Sequence, residues 1–186
     1  MQIEIAEHER MSESGSSLLR LIQNNDTCRL DLLVRESIQN CLDAGDKVNR
    51  SVRVDFNIGS FNTEKVSSYF EDITARLNQR FPGIHSYISI KDTHTVGLTG
   101  PIRYTDIKED RKFGNLLKLV YEISKPQEQS GSGGSWGLGK TVYFRIGIGL
   151  VIYYSRIKTE KGYESRLAGA LVEDEMKENH LLPQHG

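Results

Sequence analysis

The order of elements along the chain predicts an α+β fold, and three observations carry that prediction. The strongest helical signal, CRLDLLVRESIQNCLDAG at 28–45, comes before any strand. Two alternating strand patterns follow it, on either side of a second helical stretch, and the last strand-like runs come late in the chain. Helix first and strands late favour an α+β sandwich over a doubly wound parallel sheet, which needs regular strand–helix alternation.

Taken in order, SSLLRLIQNN at 16–25 predicts a short helix, and Gly45 is a plausible stop for the helix at 28–45. SVRVDFNI at 51–58 alternates Val52, Val54, Phe56 and Ile58 with polar residues, the pattern of a half-buried strand. Over 62–80, Val66, Phe70, Ile73 and Leu77 recur every three or four positions, so the stretch reads as one amphipathic helix ended by Phe81-Pro82-Gly83. YISIKD at 87–92 is a second strand. The stretch from Thr93 to Ser135 is mostly polar, with a helix-like GNLLKLVYEIS at 114–124 and a flexible EQSGSGGS at its end. VYFRIGIGLVIYYSRIK reads as a buried strand or a passage from helix to strand, and GYESRLAGALVE at 162–173 as a further strand. No internal repeat is present, and the final KENHLLPQHG offers no evident closing element.

Length and composition narrow the class. With 186 residues the chain is long enough for one domain with a proper core and too short for two comfortable ones. Hydrophobic residues make up 37% and charged residues 26%, as in a folded globular chain. A formal net charge of −1 gives no electrostatic case for nucleic acid or an anionic membrane. The first twenty residues lack the apolar core of a secretory signal, and the longest apolar run, IGIGLVIYY, is about half of what a membrane helix needs. Cys28 and Cys41 lie about 20 Å apart if one helix carries both, too far for a disulfide. They read as buried thiols in a reducing compartment, so a cytoplasmic location is expected.

One short stretch points to nucleotide. GSWGLGKT at 134–141 satisfies G-x-x-x-x-G-K-[ST], the phosphate loop of P-loop NTPases. A P-loop needs a buried strand directly before its first glycine, and here KPQEQSGSGG precedes it. It also needs an acidic metal ligand after a later apolar strand, where only Glu173 and Asp174 offer themselves. The P-loop reading is therefore poorly supported, although the glycines can still supply backbone amides to phosphate.

Two further constellations lie upstream. In RESIQNCLDAG, Glu36, Asn40 and Asp43 fall within an arc of roughly 60° on one helical face, with Leu30, Val34, Ile38 and Cys41 on the opposite side. Such a face is usually plain solvated helix. Its chemistry is nonetheless specific: a carboxylate can activate water, and a neutral amide can offer its oxygen to a hard cation. In IKDTHTVGLTG at 90–100, Asp92 ends a strand, where it can accept a hydrogen bond from an exocyclic amine. Gly97 lets the backbone approach a flat base closely.

The order E-x-x-x-N-x-x-D-A, then strand–Asp–turn with G-L-T, then G-x-x-G-x-G after a long loop, resembles the GHKL ATPases. These include gyrase-type topoisomerases, the ninety-kilodalton chaperones, histidine kinases and MutL repair proteins. The resemblance runs from about residue 28 to 145, and the helix motif is its most specific part. LVRESIQNCLDA is also similar to prokaryotic MORC-like multidomain members. The resemblance implies a two-layer α/β sandwich of the Bergerat type, a mixed and mostly antiparallel sheet covered by helices on one face. It implies ATP and Mg²⁺ as cofactors. Glu36 would be the general base and Asn40 the metal ligand. Asp43, Ala44 and Lys47 would line the nucleotide, and Asp92 would bind the adenine amine. Gly97, Leu98 and Thr99 would form the turn beside the base. Gly134, Ser135, Trp136, Gly137, Leu138, Gly139, Lys140 and Thr141 would form the second glycine box. Residues 59–83 would be a helical excursion between strands, and 101–135 the lid over ATP.

Two departures stand out. The usual D-x-G-x-G box reads D-T-H-T-V-G here, so the first glycine is missing and the turn is longer. A serine or threonine on a late strand often backs the adenine-binding Asp, and Ser155 and Ser165 are the candidates. The resemblance implies that the chain is the N-terminal fragment of a longer protein, with a downstream domain completing the γ-phosphate site and a homodimer forming on ATP binding. The expected function is an ATPase that drives conformational change. A nucleotide switch without turnover is the alternative, and a histidine kinase is a weaker one. His8-Glu9-Arg10 is similar to a phosphoacceptor box, but the stretch before Glu36 is too short for a helical-hairpin acceptor.

Overall fold

The computed structural model describes residues 28–48, 51–70, 72–107, 113–121, 141–174 and 180–182. The first helix predicted from sequence, at 16–25, and the second glycine box from Gly134 to Lys140 lie outside the described residues. The described chain is mixed α/β, built on two antiparallel β-hairpins and a set of mostly short helices.

Helix α1 spans Arg29–Asp43. Its packed side differs from the one that apolar periodicity predicts. Leu30, Val34 and Ile38 are exposed, whereas Leu33 and Ser37 are the buried positions. The packed ridge runs through Leu33, Ser37, Asn40 and Ala44, which places the flank of the polar face inside and leaves the apolar stripe outside. Cys28, expected to be buried, is exposed just before the helix, and both cysteines are free thiols.

Strand β1, Arg53–Asn62, pairs antiparallel with β2, Ile84–Thr93, in a register that sets Val54 opposite Asp92 and Asn62 opposite Ile84. Both strands outrun their alternating cores, so the excursion between them begins only at Thr63. The excursion is two short helices, α2 (Thr63–Ser67) and α3 (Thr74–Arg80), where one continuous helix was predicted. Asn62 caps α2 by accepting from the Lys65 amide at 3.1 Å. Side-chain hydroxyls then capture the carbonyls that a continuing helix would need. Ser68 donates to Lys65 O at 2.8 Å, and Thr74 donates to Ser67 O at 2.9 Å and Phe70 O at 2.5 Å. The apolar period survives the break, because Phe70, Ile73 and Leu77 still point into one core.

After a 3₁₀ turn at Tyr104–Asp106 comes α4, Gly114–Tyr121, with Leu116 and Leu117 buried. The run predicted as strand or helix-to-strand passage is the latter: α5 covers Val142–Arg145 and β3 covers Leu150–Thr159. Strand β3 pairs antiparallel with β4, Gly162–Leu171, through a tight turn in which Gly162 takes a φ of 118°. The core of the α2–α3 excursion gathers Phe70, Ile73 and Leu77 with Leu150 and Leu171 of this hairpin, and with Leu181. Leu181 is fully buried, although the C-terminal stretch shows no apolar period. It is held by the Glu173 carboxylate, which accepts from the amides of Leu181 at 2.8 Å and Leu182 at 2.9 Å and pairs with Arg80 at 3.4 Å. Glu173 therefore has a structural role, which removes it as the acidic metal ligand of a P-loop.

Candidate functional site

Three segments far apart in sequence meet at the C-terminal end of α1. The first junction is main chain to main chain. The Val96 amide donates to the Ala44 carbonyl at 2.9 Å, and the Asp46 amide donates to the His94 carbonyl at 2.8 Å, with Gly45 and Thr95 bridged between them. The end of the E-x-x-x-N-x-x-D-A helix is thus laced to the turn that follows Asp92. Asp92 lies close enough to α1 to act on Cys41: burial first, and then the Asp92 carboxylate, push that thiol up to about 11.

The turn itself has the conformation of a glycine box despite its altered letters. His94 stands two residues after Asp92, where the family pattern has glycine, and it adopts a φ of 66°. Histidine is among the residues that tolerate this left-handed region, and its ring Nδ1 bonds the Ser51 carbonyl at 3.1 Å. Gly97 has a φ of 70°, and a Cβ there would stand 2.7 Å from Ser155 Oγ. Close approach therefore demands a glycine at 97, and left-handed backbone demands it a second time.

Ser155, one of the two candidate late-strand hydroxyls, is buried on β3 and accepts the Leu98 amide at 3.0 Å. It supports the turn beside Asp92. Ser165 instead faces Tyr154 at 3.2 Å on the exposed side of the hairpin. Arg166 reaches from β4 to donate to the Leu98 carbonyl at 3.1 Å and to the Gly100 carbonyl, while its Nε pairs with Glu164 at 2.6 Å. From the other side, Asn115 donates to the Gly97 carbonyl at 3.0 Å and the Leu116 amide to the Thr99 carbonyl at 3.1 Å. The start of α4, inside the stretch expected to form the lid, is thereby fixed to the turn.

The third segment is α5, directly after the glycine loop. Asn40 donates from Nδ2 to the Tyr143 hydroxyl at 3.1 Å. Burial pushes the Tyr143 phenol above the usual tyrosine range; Ser37 and Asn40 bond it and offset part of that, and Cys41 and Glu36 add to the rise. Tyr153 on β3 is also raised, by burial and then by Tyr143, and its hydroxyl is buried with no protein partner.

The remaining expected site residues fall as follows. Glu36 is half-buried, and both bonds from Arg35, at 2.9 and 3.3 Å, go to its Oε1. Asp43 is exposed and accepts from Gln39 at 2.8 Å. Lys47 is exposed on the turn after α1, and Ala44 is half-buried. Asp92 is exposed and accepts from the Thr95 hydroxyl. Leu98 and Thr99 are half-buried, and Thr141 is only 1% exposed at the head of α5. Sequence reading did not find Ser37, Tyr143 or Arg166, because none belongs to a motif and each matters through a partner at least 66 positions away.

Among the described residues no group of three or more His, Cys, Asp or Glu is placed to hold a metal, and no helix is long and apolar enough to cross a membrane. A single amide oxygen still fits Mg²⁺ in a nucleotide site, since that ion keeps several waters and takes its other ligands from phosphates. No family model, curated protein or solved structure matches the chain.

Proposed function

We propose that the chain is an ATP-binding domain of the GHKL type that hydrolyses ATP with Mg²⁺ and drives conformational change in a larger cytoplasmic protein. The observation that carries this reading is the junction of residues 44–46 with 94–96. It brings the Asn40 helix against the turn after Asp92, as an ATP site formed by those two motifs requires. In this reading the two hairpins belong to one layer of a Bergerat sandwich and the helices to the other. Asp92 accepts from the adenine amine, beside a turn braced by Ser155 and Arg166. Asn40 offers an oxygen to the metal, and Glu36 orients the attacking water. Mg²⁺, when bound, supplies charge neutralisation on the phosphates. The glycine box at 134–141 covers the phosphates, a downstream domain completes the site, and ATP favours a homodimer.

One observation favours a second reading, a nucleotide switch without turnover: the Glu36 carboxylate is already engaged by Arg35. Binding of a fluorescent ATP analogue, alongside phosphate release, tests both. Asp92→Asn is expected to weaken adenine nucleotide by about tenfold or more, the effect of removing one charged hydrogen-bond acceptor. Glu36→Ala should abolish turnover and leave binding intact. Unaltered binding in both Asp92→Asn and Asn40→Ala would remove the ATP site. Wild-type turnover no faster than that of Glu36→Ala would leave the switch.

A further inference from the structure

The amide of Asn40 belongs to a chain of hydrogen bonds whose direction is fixed at one end. The Ser37 hydroxyl donates to the Leu33 carbonyl at 2.6 Å, and a carbonyl can only accept. With its single proton committed there, Ser37 Oγ can only accept from the Tyr143 phenol that bonds it. Tyr143 in turn gives its proton to Ser37 and presents a lone pair to Asn40 Nδ2 at 3.1 Å. The two ends of a carboxamide are told apart by their partners rather than by their shape. Here the partners decide: the NH₂ end faces Tyr143, and Oδ1 is the end turned away. Ser37 is 1% exposed and Leu33 2%, so the anchoring bond is closed to water.

We infer that Tyr143 is a positioning residue, holding the Asn40 amide through the Leu33–Ser37–Tyr143 relay so that Oδ1 is the atom offered to Mg²⁺ on a bound nucleotide. This rests on the reading of Asn40 as the metal ligand. A hard cation takes oxygen and is repelled by the NH₂ end, so a freely flipping amide is a poorer ligand. Partners of this kind, one step removed from the metal, usually contribute 10–100-fold to its affinity.

The test titrates Mg²⁺ against the intact chain at a fixed concentration of a non-hydrolysable ATP analogue, with the electron paramagnetic resonance of bound Mn²⁺ as a second readout. Tyr143→Phe should lower the apparent metal affinity about tenfold or more and leave metal-free nucleotide affinity within about twofold. Asn40→Asp supplies the control that a merely structural role would not pass. A carboxylate presents oxygen whichever way it turns, so adding Tyr143→Phe to Asn40→Asp should change metal affinity no further. Wild-type metal affinity in Tyr143→Phe overturns the inference and leaves the ATP site standing, as does an equal loss in both backgrounds. A wild-type chain whose nucleotide affinity ignores both Mg²⁺ and Asn40→Ala overturns the ATP site and this inference together.

Discussion

Cys41 shows how a single residue records the assembly of the site. It lies on α1, yet a carboxylate fifty-one positions later acts on it, and burial with that charge lifts its thiol from 9.0 to about 11. A raised folded pKa means that the native state holds its proton longer than the unfolded chain. Its contribution to stability is therefore complete below pH 9 and is lost as pH rises towards 11. Alkylation followed by mass spectrometry at pH 8 should find Cys41 carrying roughly a hundredfold less thiolate than in urea, the consequence of a two-unit shift. Cys28, exposed, serves as the internal control. Equal native and denatured rates at Cys41 would mean that Asp92 and α1 do not meet. His94 was equally hard to read. The letters D-T-H-T-V-G lack the first glycine, but His94 occupies its place with a φ of 66°, so the backbone form is kept where the residue type is not.

Element α1 was predicted as a helix to within two residues, because capping and the 3.6-residue period are local properties. Its inward side was misassigned, since periodicity counts apolar residues and cannot see a partner. The interior ridge includes Ser37 and Asn40, polar residues that tolerate burial by bonding Leu33 O and Tyr143. A pair of neighbouring substitutions distinguishes the two sides. Leu33→Ala should cost roughly 2–5 kcal/mol as a cavity in a packed site, whereas Val34→Ala, on the exposed side, should stay within about 0.5 kcal/mol. Urea midpoints measure both, and a larger loss at Val34 would restore the periodicity assignment. The split of 62–80 into α2 and α3 has the same origin. Apolar spacing was satisfied by either form, and the hydroxyls of Ser68 and Thr74 decided between them through bonds to Lys65, Ser67 and Phe70 carbonyls.

Across the whole molecule, side chains on β3 and β4 join the second hairpin to the turn after β2. Ser155 holds the Leu98 amide, and Arg166 holds two carbonyls of the same turn with a guanidinium that is itself largely covered. Arg166→Met keeps much of the volume and leaves those carbonyls without a charged donor. It should lower stability by roughly 2–4 kcal/mol, the range for losing charged hydrogen bonds to buried acceptors. In the proposed function it should also weaken ATP binding by loosening the turn. A denaturation midpoint equal to wild type would show that the turn is held without it.

The sequence alone determined the elements whose causes are local: the helix at 28–45, the alternating strands, the turn at Phe81–Gly83 and the ordered motifs that resemble a GHKL site. Only the tertiary structure decided which face of α1 turns inward, that Ser155 rather than Ser165 supports the turn, and that Leu181 closes the core. It also decided that Asn40 answers to Tyr143. Each of these depends on hydrogen bonds and contacts between residues tens of positions apart. Such pairings are set by how the elements pack, and that leaves no period, cap or motif in the chain itself.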